Sequence, residues 1–169
     1  FHVQGVRRDR IDRPDRLVFD LDPDEGIGHP ALVSAARTVR DLLADLGLPS
    51  APMVTGGKGI HVVVPLNRRA TQDSVAQFAR ATATFLAARE PGRFVATMSK
   101  AKREGRIFID WLRNQRGATA ICPFSPRARP GARVAVPVTW DELETLGSPR
   151  DFGLDAARDR AAQPLPAPT

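Results

Sequence analysis

The octet Arg16-Leu17-Val18-Phe19-Asp20-Leu21-Asp22-Pro23 sets two acids one residue apart in an apolar run. Successive side chains of a β-strand point to opposite faces. Leu17, Phe19 and Leu21 therefore share one face and can sit in a core. Asp20 and Asp22 share the other face, about 7 Å apart at the backbone. Pro23 has no N–H for a sheet ladder, so the strand is predicted to end as the second carboxylate emerges. Two carboxylates held rigidly at a strand end suit hard divalent cations. Mg²⁺ and Mn²⁺ take oxygen ligands and leave positions for substrate phosphates. A strand end with two solvated acids is the plainer alternative, and this motif alone leaves both open.

The rest of the chain alternates strands and helices. Pro30 to Leu46 carries Leu32, Ala35, Ala36, Val39, Leu42, Leu43 and Leu46 at helical spacing, with Gly47 as the stop. Pro52–Thr55 and Ile60–Pro65 read as strands around a glycine-rich turn. Asp73 to Ala88 reads as a second helix, with Val75, Phe78, Ala79, Thr82, Phe85 and Leu86 inward. Arg106–Leu112 and Ala118–Pro123 read as strands joined by a turn near Gly117. Thr139 and Glu142 make a capping box for a short helix through Leu146. From Ala161 the chain is rich in Ala, Pro and Gln and reads as a linker or frayed tail. The expected division is a catalytic core over 1–152 and a tail over 153–169. This order argues an α+β fold, a mixed or antiparallel sheet with helices packed on it.

Composition narrows the partners. At 169 residues the chain is one domain by size, with enough apolar residues for a core. The net charge of +6, carried mostly by arginine, favours a polyanion such as nucleic acid or nucleotide. Cys122 is the only cysteine, which excludes an internal disulfide and fits a reducing cytosol. No apolar run approaches membrane-spanning length, so no membrane partner and a cytoplasmic location are expected. The chain starts Phe1-His2-Val3 with no initiator Met and reads as a fragment of a longer protein.

Two further constellations carry chemistry. Thr55-Gly56-Gly57-Lys58-Gly59-Ile60-His61 has three glycines in four positions, which lets backbone N–H groups approach a phosphate. Lys58 adds a point charge, Thr55 a hydroxyl and His61 an imidazole. It is not a Walker A loop, because Gly59 follows Lys58 where that motif needs Ser or Thr. A glycine hairpin with a solvated lysine and a satisfied sheet histidine is the alternative. In Arg106-Ile107-Phe108-Ile109-Asp110-Trp111-Leu112-Arg113-Asn114, Asp110 shares a face with Phe108 and Leu112 in an apolar strand. A buried carboxylate needs a partner. Either a metal shared with Asp20 and Asp22 or an ion pair with an arginine would serve.

Taken in chain order, these stretches resemble the polymerase domain of bacterial ATP-dependent DNA ligase D, in the archaeo-eukaryotic primase superfamily. The likeness extends through Ala96-Thr97-Met98-Ser99-Lys100-Ala101-Lys102-Arg103, Gly117-Ala118-Thr119-Ala120, Pro123-Phe124-Ser125-Pro126-Arg127-Ala128-Arg129-Pro130-Gly131 and Trp140-Asp141-Glu142-Leu143. It runs from Phe1 to about Asp151. The resemblance implies an RRM-like catalytic core of primase-polymerase type. It implies that Asp20, Asp22 and Asp110 are catalytic and bind two divalent cations, Mn²⁺ by preference and Mg²⁺ as the substitute. Thr55, Gly57, Lys58 and His61 would hold the nucleotide triphosphate, with Arg127 as a clamp and Arg113 or Asn114 lining the same pocket. Arg103 matches a position near the template strand. Thr55 stands where serine is common in the family and keeps the hydroxyl.

The implied activity is template-directed nucleotidyl transfer, a DNA-dependent DNA or RNA polymerase that extends or fills ends in bacterial non-homologous end joining. Implied partners are DNA with broken or gapped ends, NTP or dNTP, bacterial Ku and a ligase domain. The family domain has a substantial portion before the position of Phe1, which stacks the base and contacts the 5′-phosphate of a broken end. A non-catalytic nucleotide- or nucleic-acid-binding fragment is therefore the competing expectation. An aspartate-based phosphohydrolase is disfavoured by Asp24, since those enzymes place Thr or Val two residues after the second aspartate.

Overall fold

The computed structural model describes every residue except Arg129, and of Lys100 the backbone alone. Arg129, in one of the stretches quoted above, thus lies outside the described residues. The elements in chain order are β1 (His2–Val3), β2 (Val6–Arg7), β3 (Arg10–Pro14), β4 (Arg16–Pro23), α1 (His29–Asp45), β5 (Ala51–Val54) and β6 (Ile60–Pro65). They continue with α2 (Gln72–Arg89), β7 (Phe94–Val95), β8 (Ile107–Asp110), β9 (Ala120–Ile121), β10 (Val136–Pro137), α3 (Trp140–Thr145) and α4 (Leu154–Ala161). Six strands form one sheet in the order β10-β5-β6-β4-β8-β7. All neighbours run antiparallel except β7 and β8. The fold is the expected mixed α/β arrangement.

The acid-bearing strand is central, and its alternation decides the layers. Leu17, Phe19 and Leu21 of β4 join Val62 and Val64 of β6 and Ile107 and Ile109 of β8 in one buried cluster. Leu32, Ala36, Val39 and Leu43 of α1 and Val75, Ala79 and Leu86 of α2 complete it. Both helices thus cover one face, and Asp20 and Asp22 emerge on the other. A one-residue slip of β4 would drive both carboxylates into the core and expose three large apolar side chains. Each of those is worth about 1.5–3 kcal/mol of burial, before the cost of burying charge, so the register is strongly held.

Helix ends follow local chemistry. Pro30 occupies the first turn of α1. Thr71 caps α2 by accepting from the Ser74 N–H at 3.2 Å. The Thr139–Glu142 capping box is present at α3. Two apolar positions expected inward are not. Leu46 and Phe85 are 54% and 51% exposed, because Leu46 lies past the last turn of α1 and Ala83 takes the sheet-facing place in α2.

The larger departures concern β8 and the C-terminal end. The Arg106–Leu112 strand stops at Asp110, and Leu112–Asn114 form a single 3₁₀ turn, so Leu112 does not share the face of Asp110. With β8 ended, Val18 has no strand neighbour on that side. The Asn114 side chain replaces it: Oδ1 accepts from the Val18 N–H at 2.8 Å, and Nδ2 donates to the Val18 carbonyl at 2.7 Å. The Ala118–Pro123 strand contracts to β9, which pairs with β1. Beyond Phe152, where a tail was expected, α4 buries Ala157 and most of Arg160. Arg160 donates to the Pro164 carbonyl at 3.0 Å, and Thr169 exchanges two 3.1 Å backbone bonds with Ser50. Proline and alanine composition hides such contacts because they run through the backbone.

Asn114→Ala should cost about 2–4 kcal/mol of stability in urea unfolding, because it orphans a buried N–H and a buried carbonyl on the central strand. A loss under 0.5 kcal/mol would show that Val18 finds other partners.

Candidate active site

One register row builds the centre of the site. Asp20 lies opposite His61 of β6 on one side and opposite Asp110 of β8 on the other. Residues directly opposite in a sheet share a face, so these side chains converge. Asp22, two residues on, shares that face opposite Phe108. Carboxylate oxygens of Asp20, Asp22 and Asp110 lie within 4.8 Å of one another and form a cluster able to hold a metal ion.

Cations surround this cluster. The Arg113 Nε lies 3.1 Å from both Asp20 Oδ2 and Asp110 Oδ2. The His61 Nε2 lies 3.4 Å from Asp20 Oδ2. Asp110 Oδ1 also accepts from the Leu112 N–H at 2.9 Å, so the 3₁₀ turn aims this carboxylate. Burial pushes the Asp20 carboxyl up, yet the charges and hydrogen bonds of His61 and Arg113 outweigh it and hold Asp20 below its ordinary value. Asp22 is pushed up to about 6 by burial and by the neighbouring Asp20 charge, against the opposing pull of Lys58. Asp110 is raised by burial, with Arg113 opposing and Asp20 reinforcing. Three crowded carboxylates, two of them raised above their ordinary values, form a donor set suited to a hard divalent cation.

The glycine-rich loop closes one side of a cavity of about 220 Å³ whose lining includes Asp20, Asp22, Thr55, Gly57, Lys58, His61, Arg113 and Arg127. Its glycines do different jobs. Gly56 has φ +66°, and a Cβ there would meet the Val134 backbone at 2.8 Å. A Cβ on Gly59 would lie 2.8 Å from the Leu21 carbonyl, 3.2 Å from Asp20 Oδ1 and 3.4 Å from Asp22 Oδ1. Gly59 therefore makes room for the carboxylates themselves. The Thr55 hydroxyl donates to the Gly59 carbonyl at 2.9 Å and accepts from the Gly57 N–H at 3.3 Å, so it shapes the turn. Arg127 Nε donates to the Thr55 carbonyl at 2.8 Å from across the cavity. Lys58 is exposed, with Nζ donating to the Pro23 carbonyl at 3.0 Å beside the strand end.

Three expected site residues are absent from this lining, and one of them, Asp110, meets the site through its carboxylate neighbours Asp20 and Asp22. Asn114 is 7% exposed with its amide committed to β4 and the Trp111 carbonyl, so it braces the sheet beneath the site and does not line it. Arg103 stacks over the Phe108 ring, 3.8 Å from the centroid, and donates to the Met98 carbonyl at 3.0 Å. That places it beside the acid-bearing face, next to the strand pair Asp22–Phe108. Conversely, the lining includes His2 and Ile121, which sequence reading missed. The β1–β9 pairing sets His2 opposite Ile121 and brings both in. Burial and the charges of Arg127 and Arg113 hold the His2 imidazole below its ordinary value. A two-residue strand with one histidine has no periodicity to announce it.

A mixed sheet with two helices on one face, and a carboxylate cluster beside a glycine-rich loop on the other, define a primase-polymerase core. The chain belongs to the family described as LigD, primase-polymerase domain, whose model matches residues 1–166. It is 40% identical over 160 residues to the multifunctional non-homologous end joining protein LigD of Pseudomonas aeruginosa, covering 95% of this chain and 19% of that protein. It is 43% identical over 129 residues to the multifunctional non-homologous end joining DNA repair protein LigD of Mycobacterium tuberculosis, covering 76% and 17%. A solved structure, the polymerase domain from M. tuberculosis ligase D in complex with DNA, superposes with a TM-score of 0.82 at 39% identity. The match covers 89% of this chain and 52% of that one. The chain thus spans about a fifth of the length of these curated relatives.

Gly59→Ala should weaken Mn²⁺ binding at least tenfold in calorimetry, since its methyl group displaces Asp20 and Asp22; unaltered affinity would separate the loop from the cluster. Metal affinity should also fall with pH. Asp22 must lose its proton to ligate, so below about pH 6 each unit costs roughly tenfold. Equal Mn²⁺ affinity at pH 5 and pH 7 would exclude Asp22 as a ligand.

Proposed function

We propose that this chain is the catalytic core of a template-directed nucleotidyltransferase acting on DNA ends in non-homologous end joining. The observation that carries this reading is the convergence of Asp20, Asp22 and Asp110 beside a cationic, glycine-rich cavity, in a member of the LigD polymerase family. Asp20, Asp22 and Asp110 would hold two divalent cations, Mn²⁺ by preference. When bound, such a pair supplies charge neutralisation for the attacking 3′-hydroxyl and for the leaving pyrophosphate.

The remaining work falls to the chain's own groups. Gly57 lets the loop backbone come close to the triphosphate and Lys58 presents an ammonium to it, while Arg127 and Arg113 add guanidinium charge from across the cavity. His61, fixed by its contact with Asp20, offers hydrogen bonding at the cluster's edge. Thr55 acts chiefly by holding the loop closed on Gly59. Arg103, on its Phe108 platform, faces a template strand. DNA with broken or gapped ends and NTP or dNTP are the substrates this reading requires, with Ku and a ligase domain as assembly partners.

Primer extension with Mn²⁺ tests the reading. Asp22→Ala should abolish extension while leaving the unfolding transition within about 0.5 kcal/mol, since a half-buried acid crowded by like charges contributes little stability. Retained extension would move the catalytic centre elsewhere. His61→Ala should weaken nucleotide binding by about 1–3 kcal/mol, and DNA binding much less. Equal loss of both would mark His61 as structural. Binding of nucleotide and DNA by the unaltered chain without extension would favour the non-catalytic alternative.

A further inference from the structure

The segment that aims Asp110 and Arg113 into the active site also builds a second, separate groove. It is a shallow cavity of about 460 Å³ between α2 and the 3₁₀ turn, on the flank of the sheet. Arg80 and Gln77 line it from α2, and Trp111, Gln115 and Arg116 from the turn. The Arg80 guanidinium lies over the Trp111 ring, 5.6 Å from its centroid. Trp111 Nε1 donates to the Ala96 carbonyl at 3.1 Å, which fixes the ring's orientation. Among the described residues neither Arg80 nor Arg116 has a carboxylate within ion-pair distance, whereas ten other arginines do. Asp73 is the single acid in the lining.

We infer that this groove binds a single strand of nucleic acid running toward or away from the catalytic cluster, an inference that rests on the polymerase reading above. Three features select that occupant. Two unpaired guanidinium groups offer phosphate contacts, which acidic phosphates satisfy more strongly than neutral ligands do. The Arg80–Trp111 stack presents a flat cationic surface on which an unpaired base can add, and a duplex offers no free base face for it. Gln77 and Gln115 supply donors and acceptors that tolerate any base edge. One short segment joins the two cavities: Asp110 belongs to the carboxylate cluster, Arg113 lines the catalytic cavity, and Trp111 and Arg116 line the groove.

The test is binding of a labelled single-stranded oligonucleotide of mixed sequence to the whole chain, followed by fluorescence anisotropy across a salt series. Arg80 and Arg116 are exposed, so Arg80→Ala/Arg116→Ala leaves the fold intact. The double variant should lose roughly tenfold in affinity at low salt, and its log K against log salt slope should shrink by about 1.4, two contacts at about 0.7 each. Arg37→Ala/Arg158→Ala, an equal charge change on α1 and α4, should leave the slope unchanged. The oligonucleotide should also quench Trp111 fluorescence, a signal that Trp111→Phe removes and that Trp140, 7% exposed, does not give. Equal losses in the two double variants would reduce the effect to net charge and overturn the proposal, as would an unquenched Trp111. Failure here stays distinct from failure of the polymerase reading. Unchanged DNA binding by the groove variant in a chain that extends primers sinks the groove alone. Lost DNA binding in a chain that extends nothing sinks the polymerase alone.

Discussion

Asp20 sits on the middle strand of three, with a histidine opposite it on one side and a second carboxylate opposite it on the other. That arrangement concentrates negative charge where burial makes each charge expensive. The chain offsets it with one guanidinium, since Arg113 Nε reaches Asp20 and Asp110 at the same 3.1 Å. The remaining imbalance shows in Asp22, whose carboxyl rises to about 6. A site strained in this way favours any added cation, and the sheet keeps the carboxylates from relaxing apart. Rigid strands are what make the crowding persist.

Much of the surrounding structure serves that row. β8 must end at Asp110 so that Arg113 can turn back onto the carboxylates, and this leaves the edge of β4 unpaired at Val18. The Asn114 amide repairs the ladder with the same donor and acceptor a strand residue would give. On the other flank, Gly59 is small because two carboxylates and a carbonyl occupy the space of its missing side chain. The loop is also buttressed from behind: Gly56 N–H donates to the Pro149 carbonyl at 3.2 Å, and Arg150 Nε donates to the Gly57 carbonyl at 3.2 Å. The segment between α3 and α4 thus supports the cavity without entering it.

Family membership and site geometry bear on different questions. The match to the LigD primase-polymerase domain identifies the fold, and a fold by itself does not assign chemistry. The chemistry on offer lies in the carboxylate cluster, the cationic cavity and the groove beside α2. These lie at both ends of one short segment, Asp110 to Arg116, so nucleotide chemistry and strand contact would be coupled through a single turn.

The strand that carries the acids was legible because its periodicity of two is unbroken and each residue type states its face. The two long helices were legible for the same reason, with errors only where Leu46 passes the helix end and Ala83 replaces Phe85 inward. The glycine loop was legible as a turn that brings backbone and a lysine together, but composition could not say that Gly59 is required by Asp20 and Asp22. The family resemblance offered Asn114 as an alternative to Arg113 in lining the pocket; only the early end of β8 makes it a splice for β4. His2 faces Ile121 from 119 positions away and Arg80 lies over Trp111 from 31 positions away, and no local pattern encodes such pairs. The Ser50–Thr169 pairing rests on backbone bonds, to which composition is blind, and α4 is held by only two buried side chains, Ala157 and Arg160. Local periodicity therefore determined the strand, the helices and the chemistry on offer. Which of those groups meet was decided by tertiary register, because contact between distant residues depends on where each strand starts and stops.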